Sequence, residues 1–104
     1  MSRAPESEEL RRLRRRIDAL DRRIVSLLNE RAELGLAVGA AKDAAGRSAV
    51  RDGEREREVL LRVAAVNEGP LPQVELLALY RRLMAATRRL ELEARDRRGA
   101  SQDS

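Results

Sequence analysis

Apolar residues recur through the first part of the chain at alternating steps of three and four: Leu10, Leu13, Ile17, Leu20, Ile24, Leu27, then Leu34, Val38 and Ala41. That spacing predicts one long helix, from about Leu10 to between Lys42 and Ala45, burying a narrow stripe against other helices. One position breaks the stripe. The step of four from Leu27 lands on Arg31, and a guanidinium on a buried face is costly unless an anion meets it there. Gly35 and Gly39 lie four apart in the same segment. They weaken the helix intrinsically, yet small residues on one face let another backbone approach closely.

Two further helical patterns follow. Residues 43–51 (DAAGRSAVR) read as a connector around Gly46, after which Asp52 is a good N-cap for a second helix. Its apolar stripe is Val59, Leu60, Val63 and Val66, with Arg55 and Glu56 just upstream on a similar face. NEGPLP (67–72) is a turn, and Pro72 suits the first turn of a third helix carrying Leu76, Leu77, Tyr80, Leu83, Met84, Thr87 and Leu90. The prediction is an all-α fold of three helices, long, short and medium, without a strand. These helices form one domain over residues 9–95. Residues 1–8, with Ser7 as the candidate N-cap near their end, and residues 96–104 are expected to be disordered, the latter because DRRGASQDS has nothing to bury.

Composition narrows the picture. Among 104 residues only Tyr80 is aromatic, so the core is built from Leu, Val, Ile and Ala, which favours helices. A first helix of about 33 residues would be roughly 50 Å long at ~1.5 Å per residue. One chain of this size cannot cover it, so an oligomer is expected. The chain has no cysteine and no histidine, which excludes thiol nucleophiles, disulfides, zinc-finger chemistry and imidazole acid–base catalysis. No run of about 18 apolar residues exists to span a bilayer and no apolar signal core begins the chain, so a cytoplasmic protein without a membrane partner is expected. The formal charge of +4 is carried mostly by arginine. Acidic residues are interspersed and no aromatic platform accompanies the basic ones, which favours a solvated helical surface over a nucleic-acid footprint. A small anionic ligand needs only a few of these arginines.

Candidate chemistry lies where polar residues interrupt the apolar faces. Arg31 and Lys42 are eleven residues apart. In a helix they differ by only ~20° in azimuth and lie roughly 16 Å apart on one face. Two such cations suit a ligand carrying carboxylates, or else each snorkels or pairs with a carboxylate of the second helix. Arg14 precedes Arg31 by about 25 Å of helix. One ligand could meet both only if Arg14 came from a second, antiparallel copy; alone, Arg14 reads as a solvated arginine among its neighbours. Thr87 and Glu91 continue the face of Tyr80 and Met84, although Glu91 also precedes Arg95 by four, the order of a surface pair.

The run LRRRIDALDRRIVSLLNERAELGLAVGAAK, then VRDGEREREVL and LYRRLMAATRRLE, resembles the all-α class of chorismate mutase from about Leu10 to Glu91. The succession RxxID, ERxxL, Lys, RDxERE and TxxxE carries the likeness. The resemblance implies an isomerase of the shikimate pathway and aromatic amino acid biosynthesis, folded as an intertwined helical homodimer and needing neither metal nor cofactor. It implies that Arg14 reaches into the partner subunit's site and that Arg31 binds a substrate carboxylate. Lys42 would contact the other carboxylate and the ether oxygen. Asp52, Arg55 and Glu56 come from the RDxERE segment, with Glu56 on the substrate hydroxyl. Thr87 stands where the family usually has serine, keeping the hydroxyl. Glu91 stands where many members have glutamine, beside the ether oxygen, so its protonation state matters. Lys42, Glu91 and Arg31 are the implied catalytic residues.

The chemistry fits the residue set. The Claisen rearrangement of chorismate to prephenate is intramolecular, and a site catalyses it by holding the compact diaxial conformer and stabilising charge on the ether oxygen. Three other readings compete. A mutase of 4-amino-4-deoxychorismate would share the fold, and the sequence does not reveal the pocket around C4. An isochorismate pyruvate-lyase would lack the full RDxERE segment. A non-catalytic basic helical dimer or adaptor explains the stripe and the charge, but not Arg31 within the stripe.

Overall fold

The computed structural model describes residues 6–47 and 52–102, which form three helices: α1 (Glu8–Ala44), α2 (Gly53–Val66) and α3 (Gln73–Gln102). No strand occurs among the described residues, as the periodicity requires. Residues 1–5 and 103–104 of the expected disordered ends, and 48–51 of the expected connector, lie outside the described residues.

Local signals set the helix ends. Ser7 Oγ accepts the Leu10 N–H at 3.1 Å, capping α1 at its start. At the other end Gly46 adopts a left-handed φ of 76°. There the Gly46 N–H donates to Asp43 O at 3.0 Å and the Arg47 N–H to Lys42 O at 2.8 Å. These two bonds form a Schellman motif, and they require the positive φ that glycine adopts without a steric penalty. The Asp52 carboxylate accepts the Arg55 N–H at 3.1 Å, so Asp52 is the N-cap of α2. Asn67 then organises the turn: its Nδ2 donates to Leu71 O at 3.1 Å and its Oδ1 accepts the Gly69 N–H at 3.0 Å. Pro72 stands just before α3, its carbonyl accepting the Leu76 N–H at 3.1 Å.

The chain divides into two compact units, Met1–Arg31 and Ala32–Ser104. In the first, α1 carries Leu10, Leu13, Ile17, Leu20, Ile24 and Leu27, each between 38% and 58% exposed. Within this unit the stripe stays open to solvent. On its polar side Arg11 pairs with Glu8, and Arg14 with Glu6.

In the second unit the end of α1, α2 and α3 pack together. Met84 and Thr87 of α3 are its buried residues, 6% and 8% exposed. Here α1 presents two faces. Gly35, Leu36, Gly39, Lys42 and Asp43 are half-buried, while Leu34 and Val38, which continue the apolar stripe, are 64% and 51% exposed. The stripe's continuation at Leu34 and Val38 is therefore not the face that meets α3 within this unit. Leu90 likewise falls outside the inner face of α3 at 39% exposed, and Glu91 takes the inward place.

α3 continues past Arg95, where the sequence places the start of a tail, as far as Gln102. The added turns have a partner: Arg98 forms an ion pair with Asp43 of α1, and Ala94, Arg95 and Arg98 are half-buried. An ion pair back to another helix gives the segment something to dock against, which the apolar pattern alone does not register.

Candidate active site

The second unit gathers polar side chains from all three helices. Gly35 and Gly39 of α1 form the platform for α3. A Cβ on Gly35 would fall inside 3.0 Å of Thr87 Cγ2, closer than real Cβ atoms come, and one on Gly39 would lie 3.4 Å from Glu91 Cγ. The missing side chains thus let Thr87 and Glu91 rest directly on the α1 backbone. The Thr87 hydroxyl donates to Leu83 O at 2.9 Å, which fixes its rotamer and turns the methyl towards Gly35.

Glu91 sits among charges. Its partial burial raises the carboxyl above the ordinary glutamate range. The Lys42 and Arg88 cations pull it back down, and the Glu56 carboxylate pushes it up again. Lys42 comes from the last turn of α1 and Glu56 from the first turns of α2. Arg88 of α3 bridges the helices, its Nη1 donating to Glu56 Oε2. The pair is well shielded, with side chains 27% and 19% exposed.

Of the residues nominated from sequence, the structure brings together Lys42, Glu56, Thr87 and Glu91. Asp52 and Arg55 stand at the start of α2 with local partners: Asp52 caps the helix, and Arg55 Nη1 lies 3.3 Å from Glu58 Oε2 on the exposed side. Arg14 and the half-buried Arg31 belong to the first unit. Sequence reading missed Arg88. It lies in the run Arg88-Arg89, which resembles a solvated pair, but it is four residues after Met84 and three before Glu91. Those steps place it at the margin of the inward face of α3.

The arrangement offers hydrogen-bond donors and cations around a carboxyl biased towards its neutral form. It can bind an anionic ligand and stabilise negative charge developing on it.

Comparison with known proteins points the same way. The type II chorismate mutase family profile matches residues 13–92. A bifunctional chorismate mutase/prephenate dehydratase of Aquifex aeolicus is 39% identical over 88 residues, covering 81% of this chain and 24% of that protein. Its Neisseria gonorrhoeae counterpart is 43% identical over 72 residues, covering 69% of this chain and 19% of that protein. The chain thus spans about a quarter or less of the length of these curated relatives. The structure of chorismate mutase (form II) from Thermus thermophilus superposes with a TM-score of 0.76 at 32% identity, covering 81% of this chain and 94% of that one. The match across most of the three-helix domain, in sequence and in fold, means that this chain belongs to the type II chorismate mutase family.

Proposed function

We propose that the chain is a chorismate mutase, an isomerase converting chorismate to prephenate in aromatic amino acid biosynthesis. The observation that carries this reading is the Lys42–Glu91 juxtaposition inside a cluster completed by Glu56, Arg88 and Thr87. In the reaction the ether C–O bond breaks as a C–C bond forms within one molecule, and negative charge builds on the departing oxygen. Lys42 donates to that oxygen, and Glu91 donates a second hydrogen bond when its carboxyl is neutral. Neither donor has to reorganise during the step, which is the condition for electrostatic catalysis.

The remaining residues bind and orient. Arg31 holds one substrate carboxylate and Lys42 touches the other as well as the ether oxygen. Glu56 accepts the ring hydroxyl, and Thr87 lines the site. Asp52 and Arg55 complete it from the start of α2. The exposed Arg55–Glu58 pair is worth about 0.2–1 kcal/mol, little enough for Arg55 to exchange Glu58 for a ligand. Arg14 enters from the partner subunit of a homodimer.

The exposed stripe supports the dimer. Leu10 to Leu27 and then Leu34 and Val38 remain open within one chain, a contiguous apolar surface of the kind that marks an interface. No helix among the described residues is long and apolar enough to cross a membrane; the enzyme acts in the cytoplasm on a small dicarboxylate, with no nucleic-acid or membrane partner. Incubation with chorismate, followed by loss of the diene absorbance and by product analysis, tests the function. Prephenate formed well above the buffer rate supports it, and decay at the buffer rate rejects it.

A further inference from the structure

Arg88 is assigned no contact with the substrate in the reading above, yet it is bonded to Glu56 across the α2–α3 contact. Its guanidinium donates to Glu56 Oε2, and both side chains are largely shielded from water. The same cation acts on Glu91, which Lys42 also faces. Two cations and two carboxyls therefore share the cluster. Part of the Glu56 charge is already balanced by Arg88.

We infer that Arg88 is a specificity-determining positioning residue, making the Glu56 end of the site accept a neutral hydroxyl and disfavour an ammonium group. The inference rests on the reading of Glu56 as acceptor for the ring hydroxyl of the substrate. A carboxylate has about four lone-pair positions, so one held by Arg88 still accepts a hydroxyl hydrogen. An ammonium at the same carbon brings a full positive charge as well. It would need an uncompensated carboxylate, and here it meets a second cation in a half-buried site, where like-charge repulsion is screened less than at the surface. The Arg88–Glu56 pair thus separates chorismate from its 4-amino analogue, two substrates that the sequence pattern does not distinguish.

The test compares kcat/KM for both substrates in the full chain, in Arg88→Leu and in Arg88→Lys. The unmodified protein prefers chorismate. Arg88→Leu removes this cation from Glu56 and shifts the ratio at least tenfold towards the amino substrate, whereas Arg88→Lys keeps the cation and the preference. A folded Arg88→Leu protein whose ratio stays within twofold of the starting value overturns the inference alone. Wild-type protein that turns over neither substrate overturns the functional reading, and this inference with it. A second measurement needs no variant. As pH rises through the pKa of the substrate ammonium, the neutral amine becomes available, so the amino-to-hydroxyl ratio of kcat/KM rises in the unmodified protein. Taking the ratio cancels any titration of Glu91 common to both substrates. A flat or falling ratio overturns the inference.

Discussion

Thr87 of α3 rests on the backbone of Gly35 in α1, with its methyl too close to leave room for a Gly35 Cβ. The contact is tight because the hydroxyl of Thr87 is committed to Leu83 O at 2.9 Å and the residue is only 8% exposed. Rotating the side chain away breaks that bond, so added volume at Gly35 must push the helices apart. Thr87 and Glu91 reach the cluster by way of this approach to α1.

Gly35→Ala is expected to destabilise the protein. Overpacking costs about 1–3 kcal/mol, offset by up to about 1 kcal/mol of helix propensity. Thr87→Ser removes the obstructing methyl, so the double variant Gly35→Ala/Thr87→Ser recovers most of the loss. Gly39→Ala meets only the flexible Glu91 side chain at 3.4 Å and is neutral or stabilising. Thermal melts of the four variants check this, and additive Gly35 and Thr87 effects would refute the steric coupling.

Activity is expected to fall on the alkaline side because a neutral Glu91 is the useful form. Partial burial raises its pKa above the ordinary glutamate range, against the pull of Lys42 and Arg88. kcat/KM therefore declines as pH rises through that raised value. Glu91→Gln keeps turnover and flattens the limb. An unchanged pH profile in Glu91→Gln would mean that another group titrates.

The same shift has a stability consequence. A carboxyl whose folded-state pKa lies above its unfolded value favours the native state fully below the unfolded pKa, and that contribution is lost as pH rises through the folded value. Glu91→Gln is thus expected to melt like the parent in acid and above it once the pH exceeds the raised folded-state value. Melting curves across that range decide the point.

Composite sites are expected from the proposed dimer. Arg14→Ala and Arg31→Ala should each be inactive alone, since each removes an arginine proposed for the site. When the two chains are mixed and allowed to exchange, a minority of sites regains both arginines and activity returns. Heterodimers that form without recovering turnover would rule out sharing.

The Arg98–Asp43 pair joins the last turns of α3 to α1, but both side chains keep substantial contact with solvent, at 37% and 29% exposed. Such pairs contribute about 0–1 kcal/mol. Arg98→Ala is expected to lower the melting temperature by a few degrees at most, and less in high salt. A larger loss would give the end of α3 a bigger share in holding the fold.

The three helices, and every described end but the last of α3, were legible from the chain alone, because periodicity and caps are local. A 3–4 spacing, Ser7 before α1, Gly46 after it and Asp52 before α2 act within a few residues of where they stand. The glycine pair was legible as a close-approach surface, but not what approaches it. Tertiary structure decided that Thr87 and Glu91 do, because the rotation of α3 against α1 depends on side-chain shape across the contact. It decided that Leu34 and Val38 stay open while the neighbouring glycine face turns inward: one helix has two coverable faces, and spacing does not say which is used within the chain. It extended α3 beyond Arg95, since Asp43 lies 55 residues from Arg98 in the chain and no local pattern connects them. Arg88 was hidden for the same reason. In sequence it is one of two adjacent arginines, and only the packing of α2 against α3 brings it to Glu56, 32 residues away.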